Sequence, residues 1–322
     1  MLDIKKLNIS YQTDDGKVRA VRNVDLELKE NTSYGIVGES GSGKSTLAMG
    51  ILRLLPPNVE EDGQIIYKGV DLLSLSPKQM KDYRWTDLAV VFQESMNSFS
   101  PVHRIRSQFE DIYHVHYPKV KKQEIRKQVL ELFDKFNLDE KVYDSYPHEL
   151  SGGMAQRVSI VLSLILQPKI LIMDEATTAL DLINEGQILD LIRDLEKNIN
   201  LTRINISHDI SIVHSSCDEV IVMYGGHIFE KGKVNDVFQK PYHPYTKALL
   251  DSYPDISRFK EQISPIPGSL ADLKKEYKGC IYFDRCPNKK DICSKKEPRV
   301  KTDKDRAYYC HNPLGGGSDY FS

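Results

Sequence analysis

The sequence predicts an α/β fold: a core of alternating strands and helices, with an antiparallel β portion, an α-helical insert and a small, irregular, cysteine-rich C-terminal extension. Three observations predict it. Apolar strand-like stretches at 33–37, 170–173, 203–207 and 220–223 alternate with helix-like ones. A glycine-rich loop at 38–46 joins the first of those strands to a helix. Beyond Gln239 prolines recur at 241, 244, 254, 265 and 267, and four of the five cysteines lie there.

Each element has its own signal. Leu2, Ile4, Leu7, Ile9 and Tyr11 alternate in strand fashion, and Val24, Leu26 and Leu28 share one face of a second strand over 21–28. Residues 46–55 read as a helix stopped by Pro56 and Pro57. Residues 88–92 form a further strand. From about 98 to 156 the character changes to a helical insert; Ile125, Val129, Leu132, Phe133 and Phe136 recur at helical spacing over 121–136. Residues 182–198 read as another helix. The expected division is 1–240 for the core and 241–322 for the extension, and the final GGGSDYFS reads as a flexible tail.

The chain has 322 residues, is 40% hydrophobic and 28% charged, and carries a net charge of −2. Such a balance gives no overall attraction to nucleic acid or to an anionic membrane, so no nucleic-acid partner is expected. From 241 onward Lys and Arg number fifteen against eleven Asp and Glu, a mildly basic end to a slightly acidic chain. The longest apolar run, 160–166, contains Ser163 and is far short of a bilayer span. The opening MLDIKKLNIS has no signal-peptide core, so a cytosolic protein is expected, docking on other chains if it works at a membrane.

Gly38-Glu-Ser40-Gly41-Ser-Gly43-Lys44-Ser45 matches G-x-x-x-x-G-K-[ST]. Its glycines let backbone N–H groups turn inward on phosphates, and the following helix adds its positive end. Lys44 is placed to neutralise β- and γ-phosphates, and Ser45 to ligate Mg²⁺. Four apolar residues, 170–173, run into Asp174 and Glu175. A carboxylate at the carboxyl end of a buried strand suits Asp174 to Mg²⁺, with Glu175 next to it as the group that orients or polarises water. Ser151, before Gly152 and Gly153, is a good helix N-cap, and the glycines permit close approach to an anion. Taken on bare chemistry, that third motif fits an ordinary capped helix better than an anion site.

Together Leu150-Ser-Gly-Gly-Met-Ala-Gln156, GESGSGKST and ILIMDE resemble the motif set of ABC-type ATPases, over about residues 1–240. The resemblance implies a P-loop NTPase (RecA-like) core with an antiparallel β subdomain. It implies that Gln93 is the Q-loop glutamine, acting in catalysis and on Mg²⁺. Asp181 in Ala179-Leu-Asp belongs to the D-loop, His208 is the switch histidine in catalysis with Glu175, and Tyr11 stacks on adenine. Gly38, Ser40, Gly41, Gly43, Lys44, Ser45, Thr46 and Asp174 would hold ATP from one side. Ser151, Gly152, Gly153, Gln156 and Asp181 would hold it from the other. Ala176 stands where the family usually has proline, and Ala179 where serine is common; neither removes a catalytic group. Because the family sandwiches ATP between two subunits, one loop and one signature make two incomplete half-sites. A second ATP-binding subunit is therefore implied, either another copy of this chain or a paralogue; the importer type named below usually pairs two different ones, which favours the paralogue.

Phe92-Gln-Glu-Ser-Met-Asn-Ser98-Phe-Ser-Pro101 and Gln239-Lys-Pro-Tyr-His-Pro-Tyr-Thr-Lys-Ala-Leu249 resemble segments of the oligopeptide/dipeptide importer type. That resemblance implies a motor coupling ATP hydrolysis to uptake, at the cytoplasmic face of the membrane. Two transmembrane permease subunits and an extracytoplasmic substrate-binding protein would be its partners. Cys280, Cys286, Cys293 and Cys310, spaced Cys-x₅-Cys-x₆-Cys-x₁₆-Cys, are similar to a four-cysteine tail of that type. Four thiolates suit a [4Fe–4S] cluster, or Zn²⁺ as the alternative, and unligated thiols are a third reading. Other cargoes, such as oligosaccharides or nickel, and a soluble ABC ATPase of repair or translation are the competing functions. A small-molecule kinase is argued against by the LSGGMAQ segment.

Overall fold

The computed structural model describes residues 1–92, 99–176, 182–253 and 265–314. The expected Q-loop segment 93–98, the D-loop segment 177–181 and the GGGSDYFS tail therefore lie outside the described residues.

In chain order the strands are β1 (Leu2–Thr13), β2 (Gly16–Leu28), β3 (Ser33–Val37), β4 (Val59–Tyr67), β5 (Val70–Asp71), β6 (Leu88–Val91), β7 (Ile170–Asp174), β8 (Thr202–Ile206), β9 (Glu219–Tyr224), β10 (His227–Lys233), β11 (Lys301–Asp303) and β12 (Arg306–Tyr308). The helices are α1 (Lys44–Ile51), α2 (Pro77–Met80), α3 (Ile105–His116), α4 (Lys122–Lys135), α5 (Gly152–Leu164), α6 (Leu182–Ile199), α7 (Ile210–Ser216), α8 (Val234–Gln239), α9 (Pro244–Asp251) and α10 (Asp291–Lys295). Contacts divide the chain into two units, Met1–Leu28 with Ser33–Ser74 and Ile206–Ser322, and Lys29–Thr32 with Leu75–Asn205.

In the first unit, β2-β1-β4-β5 form an antiparallel sheet. Leu2, Ile4, Leu7 and Ile9 are all buried although the step from Ile4 to Leu7 breaks strict alternation. A bulge makes this possible: the register shifts between Ile4 and Leu7, and Lys6 sits at φ 48°. An inserted residue flips the strand's phase and returns the apolar side chains to the same face. The same unit holds β11-β12-β10-β9-β3, antiparallel except for the parallel pair β3 and β9. Val37, Val213, Val220, Val222, Tyr224 and Phe229 pack there with Tyr245 and Tyr282 from the extension. The extension is thus more ordered than its prolines suggest. It supplies α9, α10 and a hairpin whose strand β12 pairs with β10, Tyr308 opposite Glu230.

The second unit holds β8-β7-β6, with β6 and β7 parallel in the register Leu88 to Ile170 through Val91 to Met173. Residues 170–173 are fully buried, as a four-residue apolar run in a parallel pair should be. The helical insert is built on α3 and α4, whose Phe109 and Phe133 rings meet edge-on at 6.0 Å. Its apolar spacing was legible for α4; α3 buries only Ile105, Phe109 and Tyr113.

Candidate functional site

The phosphate loop lies in the first unit, between β3 and α1. Gly38 takes φ 152°, and a Cβ there would stand 2.1 Å from the Met223 carbonyl oxygen. Gly43 takes φ 100°, and its Cβ would stand 2.2 Å from the Ala20 oxygen. Only glycine fits either place. Gly41, by contrast, has nothing within 4 Å of a built Cβ, so space opens on its side of the loop. Gly43 is the N-cap of α1 and offers no side-chain cap. A helix start without a side-chain cap presents N–H groups to an anion.

Lys44 is buried, and its Nζ donates to the Gly38 carbonyl at 2.8 Å and the Glu39 carbonyl at 3.0 Å. The ammonium thus lies folded against the loop carbonyls. The Tyr11 hydroxyl on β1 lies 3.3 Å from the Thr46 hydroxyl on α1, which fixes the expected adenine-stacking ring beside the loop's helix. Ser40 and Ser45 sit within the same turn and helix start. His208 is exposed, one residue before Asp209, which caps α7 by accepting from the N–H groups of Ser211 at 2.8 Å and Ile212 at 3.2 Å. Burial pushes the Asp209 carboxyl up, but hydrogen bonds led by those from Ser211 and Tyr253 outweigh it and leave the pKa low.

The second unit carries the other expected residues. Asp174 closes β7, and Glu175 follows at φ 49°. A left-handed glutamate is strained, and strain of that kind concentrates at functional turns. Ser151 caps α5: its hydroxyl accepts from the Met154 N–H at 3.3 Å. Gly152 has nothing within 4 Å of a built Cβ, so the first turn of α5 is open to an approaching group. Gln156 is fully buried and donates from Nε2 to the Ala176 carbonyl. It ties the helix of the signature segment to the turn that holds Glu175, a positioning job its motif did not announce. Gln93 and Asp181 lie outside the described residues.

Sequence reasoning missed Glu39 and its partners. Arg285 makes a two-pronged ion pair with Glu39 at 2.8 and 3.0 Å, and the Glu39 N–H donates to the Tyr245 hydroxyl at 2.9 Å. Residues 39 and 285 are 246 apart, and no local pattern links positions so distant. The only signal was that Tyr245 and Arg285 fall in segments that resemble the importer type.

Cys280 and Cys286 are partly buried, and Cys293 and Cys310 are buried. The Cys280 N–H donates to the Cys293 carbonyl at 2.7 Å. Burial pushes the Cys280 thiol up to about 12 and the Cys310 thiol up to about 11, and the neighbouring cysteines push the same way. Among the described residues no group of three or more His, Cys, Asp or Glu is placed to hold a metal ion, so the expected four-thiolate set finds no support here. The sulfurs are neighbours, close enough for the ionisation of one to oppose that of another. The phosphate loop, by contrast, fits ATP, with an open glycine turn and a lysine at its centre.

The profile of the ABC transporter family matches residues 21–178, and that of the oligopeptide/dipeptide transporter C-terminal region matches 229–293. A probable peptide ABC transporter ATP-binding protein, y4tR of Sinorhizobium fredii, is 40% identical over 303 residues, covering 92% of this chain and 90% of that protein. The oligopeptide transport ATP-binding protein OppD of Bacillus subtilis is 39% identical over 313 residues, covering 96% and 87%. Among solved structures, a dimeric post-hydrolysis state of the ATP-binding cassette MJ0796, bound to ADP and Pi, superposes with a TM-score of 0.67. It is 27% identical and covers 73% of this chain and 99% of that one.

Proposed function

Because the chain belongs to the ABC transporter family of ATP-binding proteins and carries the C-terminal region of its oligopeptide/dipeptide branch, we propose that it is the motor of a peptide importer. It hydrolyses ATP to ADP and phosphate. The observation that carries the reading is a phosphate loop open at Gly41, with Lys44 at its centre, followed in the same chain by that C-terminal region.

Lys44 exchanges its bonds to the Gly38 and Glu39 carbonyls for the β- and γ-phosphates, and the loop glycines with Ser40 and Thr46 enclose them. Mg²⁺, held through Ser45 with Asp174 and Gln93, would neutralise charge on the phosphate oxygens. Glu175 polarises the attacking water, and His208 contacts the γ-phosphate side. Ser151, Gly152 and Gly153 of one chain complete the site of a second, so ATP closes a pair of subunits and hydrolysis opens it. Affinity for ATP that differs between the open and closed states turns chemistry into motion.

The partners in this reading are a paralogous ATP-binding subunit, two permeases and an extracytoplasmic binding protein. Among the described residues no helix is long and apolar enough to cross a membrane, which suits a subunit docked on permeases at the cytoplasmic face. A [4Fe–4S] cluster, or Zn²⁺, is the finer reading of the tail. Four thiols in mutual electrostatic range support it, and the lack of a ligand geometry stands against it. The domain division at 240 is likewise a proposal.

The test is Glu175→Gln. The variant is expected to bind ATP, to remain dimeric with ATP, and to hydrolyse it at least about 10²-fold more slowly. Turnover near the wild-type rate removes Glu175 from the reaction. Cargo is read from ATP-driven uptake of labelled peptides into vesicles carrying the copurified permeases; uptake of sugars or nickel instead of peptides overturns the peptide assignment.

A further inference from the structure

The C-terminal extension reaches Glu39 of the phosphate loop through Tyr245 and Arg285. Arg285 spends all five of its N–H donors there and on its own support. Nη1 donates to Glu39 at 2.8 Å and to the Tyr224 hydroxyl at 3.3 Å; Nη2 donates to Glu39 at 3.0 Å and to the Ile266 carbonyl at 3.2 Å; Nε donates to the Pro267 carbonyl at 2.8 Å. The guanidinium also lies 5.6 Å from the Tyr224 ring centre and 5.9 Å from that of Tyr282. Its side chain is 5% exposed, while that of Glu39 is 24% exposed. A guanidinium with every donor used and two rings against it is locked before any ligand arrives.

Glu39 is the second residue of the loop. Its N–H points to the Tyr245 hydroxyl, so it is withdrawn from the set of N–H groups that face phosphates. Its carbonyl, together with that of Gly38, holds Lys44. Its carboxylate is a negative charge built into a loop whose occupant is itself strongly negative.

We propose that Arg285 and Tyr245 are positioning residues for nucleotide binding. They fix the Glu39 peptide in the orientation that presents the loop, and Arg285 cancels the carboxylate that would otherwise repel the phosphates. Neither touches a reacting atom. The cysteine-bearing segment thereby sets how tightly the loop holds ATP.

The inference rests on ATP binding at residues 38–46, so Lys44→Ala is measured beside it. A fluorescent ATP analogue is titrated into the full chain, with hydrolysis followed at saturating ATP. Lys44→Ala is expected to abolish binding. Arg285→Ala is expected to raise Kd and KM by about tenfold while kcat stays within about twofold, and Arg285→Lys is expected to fall between it and wild type. In a Glu39→Gln background the Arg285→Ala penalty is expected to shrink below about twofold, because no carboxylate remains to be cancelled. It should also shrink at high salt, where the repulsion is screened. A role confined to folding moves neither of those two readouts. If Arg285→Ala does not fold, Arg285→Lys carries the same comparison, and Tyr245→Phe, which acts on the Glu39 N–H and not on its carboxylate, is expected to raise Kd in both backgrounds. An unchanged Kd, or an equal Arg285 penalty in the Glu39→Gln background, overturns the inference. If Lys44→Ala binds as wild type does, the nucleotide reading of the loop fails, and the inference falls with it.

Discussion

His243 shows how much one side chain can commit. It is 1% exposed, its Nδ1 accepts the Tyr245 N–H at 3.0 Å at the start of α9, and its ring stacks on Phe229 at 4.1 Å. Among the described residues its Nε2 has no hydrogen-bond partner. Burial pulls its pKa down to about 3. An unfolded histidine takes its proton near pH 6.5, so below that pH the unfolded chain binds a proton the folded one refuses. Stability is therefore lost as pH falls from about 6.5 toward 3, by at most about 1.4 kcal/mol per pH unit for this group. His243→Asn keeps an N-cap acceptor and cannot titrate. Denaturation midpoints between pH 7.5 and 5 are expected to fall less steeply for the variant; parallel slopes would clear His243 of the effect. Such a role could not be read from the sequence, where His243 is one polar residue between prolines. The place of Lys44 at the helix start after a glycine loop, and of Ser151 as a helix N-cap, could be read, because motif spacing fixes such positions.

Helix ends were the least legible elements. Residues 46–55 read as a helix because Pro56 and Pro57 are the visible stop, yet α1 ends at Ile51. Arg53 turns left-handed at φ 54°, its N–H bonds to the Gly50 carbonyl, and the Leu54 N–H bonds to the Met49 carbonyl. Those two bonds close the helix in a Schellman motif without glycine, so the sequence carries no warning. Helix α4 ends the same way at Asn137, φ 51°, with Asn137 bonded to Asp134 and Leu138 to Phe133. Asn137 is exposed, so its substitution reports the backbone alone. Asn137→Ala is expected to lower stability by about 1 kcal/mol and Asn137→Gly to leave it equal or slightly higher, by urea denaturation. Equal losses in both variants would show that the asparagine side chain, and not the left-handed turn, holds the end. The strands were easier, because buried runs such as 170–173 and alternation such as 24–28 are dictated by what each face touches.

At the scale of the whole chain, the sequence showed an ATP-binding core and a proline-rich remainder. It did not show that the remainder folds back onto the core of the first unit. That information is spread over Leu273, Lys274, Lys275 and Glu276, which bond to Arg19 and Arg22 of β2, and over Tyr245, Tyr282 and Arg285. None of these forms a periodic pattern. The four cysteines lie within this folded segment, and protein purified without oxygen puts their role to a direct measurement. Iron in stoichiometric amount with a visible absorbance band is the expected result for a cluster. Colourless, zinc-loaded protein would remove the cluster, and metal-free protein that binds ATP normally would leave the thiols as packing.

The small hairpin of β11 and β12 has a consequence of another kind. A strand at the margin of a sheet offers unpaired N–H and C=O groups to any extended chain that drifts past. Without β12, the long and largely buried β10 would be that margin. With it, the outermost strand is Lys301-Thr302-Asp303, three exposed polar residues too short and too charged to recruit a neighbour. This hairpin thus keeps crowded copies of the protein from zipping together along that edge.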